Sequence, residues 1–403
     1  MAAAAATALA AVILLLVLAT TAEAACSVSA IYSFGDSIAD TGNLLREGPA
    51  VGAFASIGTY PYGQTLRRPT GRCSDGLLII DYFAMALNLS LVSPYLEKGA
   101  RFESGVNFAV AGATALDRSY LLQSGVVMPP ASVPLSSQLD CFAFEHRSDC
   151  AKKLSGALFL VGEIGGNDYN YAFFQGRSIE SMKTYVPQVV RSIMDVAKAS
   201  IEVIELGATK IVIPGNFPIG CSPSYLSLFS TAISGDYDDR GCLKSYNSFA
   251  MYHNDQLRAA IDDLRKVNSD VAIVYADYYG AFMHLLQKAD LLGFEEDSLF
   301  KACCGAGGKY NFDMNLMCGA VGTNVCADPA QHISWDGIHL TQQAYKAMVL
   351  SLIMEGFAQP ADIDLRLDVA DLGLDVAADS DINLGAVIHF VVLVDGCDDG
   401  VSG

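Results

Sequence analysis

Short apolar runs alternate with longer segments of helical periodicity along most of this chain, and no other feature constrains its fold as strongly. Five apolar runs have the length of buried strands, at residues 30–34, 108–111, 157–161, 210–214 and 271–275. Helical periodicity is clearest at residues 179–206 and 245–267. Strands that alternate with helices form a parallel sheet with helices on both faces. The sequence therefore predicts a three-layer α/β/α fold with a central parallel sheet.

The N-terminus has the pattern of a secretory signal peptide at residues 1–25. An apolar run at residues 8–19 precedes Ala22-Glu23-Ala24, which fits a cleavage site between small residues. The usual basic start is missing, so a buried helix or a membrane anchor is the alternative. The run is too short to span a bilayer comfortably. We therefore expect a secreted protein without stable membrane insertion.

Acidic charge is concentrated at the C-terminus. The formal net charge is −19, and the last 43 residues contain ten Asp and one Arg, about half of that charge. An acidic chain repels nucleic acid and anionic lipid headgroups, so neither is expected as a partner. The apolar stretch at residues 386–394 is too short to span a bilayer. Residues 359–403 are therefore predicted to be a weakly ordered extension, or an added strand, after a single domain at residues 26–358.

Eleven cysteines follow the predicted signal peptide, and an oxidising compartment would pair most of them. Two plausible bridges are Cys141 with Cys150 and Cys221 with Cys242. Four more cysteines lie close together in the sequence: Cys303, Cys304, Cys318 and Cys326. Two bridges within this cluster would fix the loop that follows it. A zinc site is the alternative, although the spacing lacks paired C-x-x-C motifs.

Two short segments contain the side chains that serine-dependent ester cleavage needs. Ser37 follows the first predicted strand in Gly35-Asp36-Ser37 and is a candidate nucleophile. His339 is a candidate base, because imidazole accepts a proton near neutral pH. Asp336, three residues earlier, is placed to hold the tautomer of that imidazole. The closing segment, residues 341–355, is predicted to be a helix capped by Thr341.

Two further segments supply candidate hydrogen-bond donors for an oxyanion. Gly112 lies in Asn-Phe-Ala-Val-Ala-Gly-Ala, and Asn167 lies in Gly-Gly-Asn-Asp. Both residues follow a predicted strand, as Ser37 does. Sites in parallel sheets lie beyond the carboxyl ends of the strands, so we expect the three residues to lie at one edge of the sheet.

These segments, together with residues 34–43 (FGDSIADTGN), 71–76 (GRCSDG) and 214–221 (PGNFPIGC), resemble plant-type GDSL esterases/lipases of the SGNH hydrolase superfamily. The resemblance covers roughly residues 26–358, with Ile38 in place of the leucine of the family motif. It implies a flavodoxin-like sheet and no metal or organic cofactor. It also implies an oxyanion hole formed by the backbone N–H groups of Ser37 and Gly112 and the side-chain amide of Asn167.

The resemblance implies a carboxylic-ester hydrolase of the cell wall or apoplast that acts through an acyl-serine intermediate. The segment at residues 162–171 is similar to relatives that cleave small acyl groups, so the expected substrate is a small acetyl ester or an acetylated glycan. The alternatives are an acyltransferase using the same intermediate, a lipase for longer chains, and a catalytically silent secreted binding protein. The oligomeric state is left open.

Three other polar residues have more local interpretations. Asp36 and Asp40 flank Ser37 and are predicted to bond loop backbone, because Asp side chains commonly accept nearby N–H groups. Asn88-Leu89-Ser90 is an N-x-Ser sequon, so Asn88 is a candidate glycosylation site in a secreted protein.

Overall fold

The computed structural model describes residues 28–48, 52–129, 133–145, 154, 156–203 and 210–360. The predicted signal peptide, most of the predicted acidic extension and Cys150 lie outside the described residues. In the described part of the chain, no helix is long and apolar enough to cross a membrane.

A seven-stranded sheet forms the centre of the fold. Its strands are β1 Ala30–Gly35, β2 Ser93–Pro94, β3 Gly105–Asn107, β4 Ala157–Glu163, β5 Lys210–Pro214, β6 Ala272–Ala276 and β9 Ala358–Gln359. The spatial order is β2-β3-β1-β4-β5-β6-β9. The first six strands run parallel, and β9 pairs antiparallel with β6. Two further strands, β7 Cys304–Gly305 and β8 Asn324–Val325, form a separate antiparallel pair.

Helices cover both faces of the sheet, which confirms the predicted three-layer α/β architecture. In chain order they are α1 Leu44–Glu47, α2 Ile79–Ala86, α3 Arg118–Gln123, α4 Leu135–Glu145, α5 Gly166–Phe173, α6 Ile179–Lys183, α7 Val186–Val203, α8 Pro223–Leu228, α9 Lys244–Val267, α10 Tyr278–Gln287 and α11 Gln342–Met354. Side chains alternate across β1. Tyr32 and Phe34 pack in the cluster that contains the buried residues of α7 and α9, whereas Ile31 packs in the cluster of α2, α10 and α11.

The long helix predicted at residues 179–206 is two helices in the structure. Helix α6 ends at Lys183, and α7 begins at Val186 with Pro187 in its first turn. A proline ring clashes with the carbonyl group four residues earlier in a continuous helix, so Pro187 separates the two segments. The predicted helix at residues 245–267 corresponds to α9, and Thr341 caps α11 by accepting the Ala344 N–H at 3.2 Å.

The apolar run at residues 108–111 was predicted to be a strand but begins where β3 ends. Its backbone still lies beside β1, because Phe108 N–H donates to Ser33 O and Val110 N–H donates to Gly35 O. The run therefore brings the residues before Gly112 alongside the end of β1.

Candidate active site

Ser37 lies in a turn directly after β1, at the carboxyl edge of the sheet. The preceding Gly35 is fixed from both sides by Gln138, whose side chain accepts from Gly35 N–H and donates to Gly35 O, each at 2.8 Å. Asp36 N–H donates to Glu163 O at the end of β4. These bonds fix the backbone on which the Ser37 hydroxyl is mounted. Gln138 has no motif around it in the sequence.

His339 and Asp336 come from a loop far along the chain, between β8 and α11, and His339 is 302 residues after Ser37. His339 Nε2 lies 2.8 Å from Ser37 Oγ, and His339 Nδ1 lies 2.7 Å from Asp336 Oδ2. All three residues are buried. The structure therefore brings the candidate nucleophile, base and orienting carboxylate into one hydrogen-bonded line.

The Asp336 carboxylate is held in its charged form. Burial by itself would raise the pKa of Asp336, but the neighbouring His339 ring and the N–H groups of His339 and Ile338 hold that pKa below its usual value. Tyr62 adds a further donor, because its hydroxyl lies 2.8 Å from Asp336 Oδ2. Tyr62 is 274 residues away in the sequence, and no motif links it to Asp336.

The loop that carries Asp336 and His339 pairs with the cysteine cluster. Cys303 N–H donates to Ser334 O, and Cys304 N–H donates to Trp335 O at 2.7 Å. Disulfides link Cys303 to Cys326 and Cys304 to Cys318. Because all four sulfurs are in disulfides, they are not zinc ligands in this structure.

A glycine is required at the tip of this loop. Gly337 has a φ of +94°, which side chains disfavour. A Cβ atom there would lie 2.3 Å from the Phe312 ring. The close approach of Phe312 and the turn between Asp336 and His339 therefore both depend on Gly337.

Asn167 reaches the site from the first turn of α5, which begins directly after β4. Its side-chain amide nitrogen lies 3.0 Å from Ala113 O and 3.2 Å from Asp36 Oδ2. Asn167 and Ser37 line the same two cavities. An amide donor therefore lies beside the candidate nucleophile, with Asp36 as one of its present acceptors.

Gly112 lies behind one of these cavities. It has a φ of +84°, and a Cβ atom there would lie 3.0 Å from both the Phe54 ring and the Tyr171 hydroxyl. Phe54 and Tyr171 line the cavity that contains Ser37 and His339. The Tyr171 hydroxyl also donates to Gly112 O at 2.9 Å. Gly112 thus bonds a side chain that lines this cavity and is not among the described residues that line it.

Asp40 and Asp36 both bond backbone, as the sequence predicts. Asp40 accepts from the N–H groups of Gly42, Asn43, Leu44 and Ala111, and Asp36 Oδ1 accepts from Ile38 N–H at 3.0 Å. Asp36 also bonds Asn167, a contact that sequence reasoning missed. The turn around Ser37 is therefore stabilised by its own acidic residues.

Three carboxyl groups beneath Ser37 are harder to ionise than usual. Burial raises the pKa of Asp36 to about 7, of Asp168 to about 7 and of Glu163 to about 8, and hydrogen bonds offset only part of each shift. Glu163 accepts from the Tyr278 hydroxyl, but its Oε2 atom is buried and has no hydrogen-bond partner within the described ranges. The carboxyl groups on the sheet side of the site therefore keep their protons to a higher pH than usual.

The remaining candidate residues form no hydrogen bond to Ser37, Asp336 or His339 within the described ranges, although Cys221 lines one of the cavities at Ser37. Cys221 and Cys242 form a disulfide. Cys141 has no disulfide partner among the described residues, and its predicted partner Cys150 lies outside them, so that bridge stays a prediction. Asn88 is exposed in the turn after α2, so its side chain is accessible.

The chain matches known proteins over most of its length. Residues 31–352 match the model of the GDSL-like lipase/acylhydrolase family. Acetylajmalan esterase 1 from Rauvolfia serpentina is 45% identical over 341 residues, which cover 83% of this chain and 88% of that protein. Sinapine esterase from Brassica napus is 44% identical over 356 residues, which cover 85% and 89%. The solved phospholipase A1 from Streptomyces albidoflavus aligns with 81% of this chain and 98% of that chain at 12% identity and a TM-score of 0.34.

The family match spans the segments that contain Ser37, Gly112 and Asn167 and ends beyond His339. The relatives align over more than four fifths of both chains, so the similarity is to whole proteins and not to one motif. The chain therefore belongs to the GDSL-like lipase/acylhydrolase family and is a carboxylic-ester hydrolase.

Proposed function

We propose that the protein is a secreted esterase that removes short acyl groups, above all acetyl, through a covalent acyl-serine intermediate. The proposal assigns Ser37 as nucleophile, His339 as general base and acid, and Asp336 as the residue that orients His339. The observation that carries it is the line of two short contacts, 2.8 Å from Ser37 Oγ to His339 Nε2 and 2.7 Å from His339 Nδ1 to Asp336 Oδ2.

In the first half of the reaction, Ser37 Oγ attacks the ester carbonyl carbon and its proton passes to His339 Nε2. Negative charge then develops on the carbonyl oxygen. The N–H groups of Ser37 and Gly112 and the side-chain amide of Asn167 are proposed to donate to that oxygen. When the bond to the alcohol breaks, His339 returns the proton to the leaving oxygen.

In the second half, water takes the place of the alcohol. His339 accepts a proton from the water as its oxygen attacks the acyl-serine carbonyl, and the proton returns to Ser37 Oγ when the acid leaves. The charge on Asp336 stabilises the imidazolium form of His339 in both halves. Because Asn167 now donates to Asp36 and Ala113 O, one of those bonds must be exchanged for the bond to the oxyanion.

The substrate class rests on relatives and on sequence. A protein named acetylajmalan esterase shares 45% identity with this chain, which supports acetyl esters of specialised metabolites, with acetylated glycans as the other class. Secretion is supported by the N-terminal pattern and by three disulfides. The proposed organisation is a signal peptide at residues 1–25, a hydrolase domain at 26–358 and an acidic extension at 359–403, with Asn88 as the glycosylation site.

A hydrolysis panel tests the proposal. The purified protein would be assayed with acetyl, butanoyl and long-chain nitrophenyl esters and with acetylated xylan and pectin, and peptide mass spectrometry would locate any trapped acyl group. We expect preference for acetyl esters and acylation of Ser37. A preference for long chains would favour a lipase, and transfer to added glycerol would favour an acyltransferase. No release of nitrophenol above background, together with no acyl group on Ser37, would contradict the proposal and favour a binding protein.

A further inference from the structure

Two cavities meet at Ser37. The first, called here the Phe217 cavity, has a volume of about 110 Å³, and its apolar walls include Ile38, Ile164, Phe217, Phe282, Leu299 and Ile333. The second, called the Met317 cavity, has a volume of about 390 Å³, and its walls include Phe54, Met128, Tyr171, Phe174, Met314 and Met317. Four residues line both cavities: Ser37, Asn167, Asn170 and Ile338.

His339 distinguishes the two cavities. It lines the Met317 cavity and is not among the described residues that line the Phe217 cavity. An ester bound at Ser37 has two arms, the acyl group and the alcohol. The alcohol oxygen must receive its proton from His339 Nε2, so it has to lie within hydrogen-bonding distance of that atom. The acyl group has no such requirement.

From this geometry we infer that the Phe217 cavity binds the acyl group and the Met317 cavity binds the alcohol. The inference rests on the acyl-serine mechanism proposed above. The carbonyl oxygen lies between the two arms of the ester, so a side chain that donates to it must be accessible from both cavities. Asn167 lines both of them. The tetrahedral carbon would then lie at the junction of the cavities, with one arm directed into each.

The walls and volumes define a substrate class. The smaller cavity has Phe217 packed 5.2 Å from Tyr278 and 6.1 Å from Phe282, measured between ring centroids, so aromatic rings limit its size. The larger cavity is lined by aromatic side chains and by three methionines, whose flexible side chains adapt to bulky apolar groups. The inferred substrate is a short-chain ester, such as an acetate, of a large and mostly apolar alcohol.

Two substrate series separate the cavities. One series keeps nitrophenol and varies the acyl group from acetyl to hexanoyl, and the other keeps acetyl and varies the alcohol from ethanol to phenol and naphthol. Phe217→Ala should raise kcat/KM for the hexanoate relative to the acetate by about tenfold or more, because each methylene accommodated in a pocket is worth about tenfold or more. In the same variant, the order of kcat/KM values among the acetates of different alcohols should stay unchanged. Met317→Ala should reorder the alcohols and leave the acyl preference unchanged.

Deacylation gives an independent readout. After the alcohol has left, every acetate forms the same acetyl-enzyme, so the steady rate after the burst should not depend on the alcohol in either variant. Phe217→Ala should change that rate more than Met317→Ala does, because the acetyl group remains in the Phe217 cavity. Leu299→Phe narrows the Phe217 cavity without removing a core ring, and it should lower the hexanoate-to-acetate ratio. If circular dichroism shows that Phe217→Ala does not fold, Leu299→Phe tests whether the Phe217 cavity binds the acyl group.

The outcomes distinguish this inference from the proposed mechanism. A crossed pattern, in which Phe217→Ala reorders the alcohols and Met317→Ala changes acyl preference, would overturn the cavity assignment and leave the mechanism intact. Equal changes in both series for each variant would overturn it too. A wild-type protein that forms no acyl-serine would overturn the mechanism and the cavity assignment together.

Discussion

The two halves of the candidate active site are stabilised by different forces. The Ser37 half continues from the sheet, and Asp40 accepts three backbone N–H groups from the segment that follows and a fourth from Ala111. The His339 half lies in a loop outside the sheet, where the Cys303–Cys326 and Cys304–Cys318 disulfides fix the backbone that pairs with it. The Ser37 half is therefore held by hydrogen bonds that any compartment allows, whereas the His339 half combines hydrogen bonds with two disulfides that form only under oxidising conditions.

The electrostatics of the halves also differ. On the sheet side of Ser37, burial raises the pKa values of Asp36 and Glu163, so both carboxyl groups keep their protons to a higher pH than usual. In the loop, burial has the same tendency, but the proximity of His339 reverses it and lowers the pKa of Asp336. Charge is therefore concentrated in the part of the site that must stabilise an imidazolium. The following predictions test how far the two halves can be separated.

The largest expected effect comes from removing either reacting side chain. Ser37→Ala and His339→Ala should each lower kcat by about 10⁴- to 10⁶-fold, because the nucleophile and base act as a unit. The kcat of the double variant should be no lower than that of the less active single variant. Initial rates with nitrophenyl acetate, beside melting curves that show intact folding, measure this. Additive losses, or a single variant with near-wild-type turnover, would contradict a joint role for the two halves.

A smaller effect should follow from removing one disulfide of the loop. Replacing both Cys304 and Cys318 with serine should lower kcat/KM by about tenfold or more, because small displacements of a catalytic group are costly. The closed segment spans 14 residues, and the expected loss of unfolding free energy is about 3 kcal/mol. Activity and urea denaturation of the same preparation give both numbers.

The comparison variant removes the Cys221–Cys242 disulfide, which spans 21 residues. Neither cysteine bonds the His339 loop, although Cys221 lines the Phe217 cavity. Serine at both positions should cost a similar free energy of unfolding with a clearly smaller fall in kcat. Equal losses of kcat in the two double variants would show that general stability, and not the position of His339, decides activity. Mild reductant should reproduce the loss in the wild-type protein.

The sequence predicts local features of this site better than it predicts contacts between distant segments. The three-residue spacing of Asp336 and His339 is a local signal, as is the position of Ser37 after an apolar run. Gln138 and Tyr62 gave no signal, because each matters only once folding has brought it beside Gly35 or Asp336. The helix break at Pro187 could have been predicted from the proline itself, but the helical periodicity on both sides favoured one continuous helix. The two cavities are formed by side chains from many segments and have no linear pattern.

The smallest expected effect is a change in how stability depends on pH, and it tests the electrostatic contrast. The pKa of Glu163 is raised by burial from 4.5 to about 8. Between these values the folded protein keeps a proton that the unfolded chain releases, so the free energy of unfolding falls as pH rises from about 5 to 8.

The variant Glu163→Gln isolates this contribution. Its side chain still accepts from Tyr278 but cannot ionise, so its free energy of unfolding should fall by about 1 to 3 kcal/mol less than that of the wild type over that pH range. Urea denaturation at each pH measures the difference, with exposed Glu180→Gln as the control for losing one carboxylate. Parallel pH curves for wild type and Glu163→Gln would mean that Glu163 is charged in the folded protein, and the contrast between the two halves would then not extend to this residue.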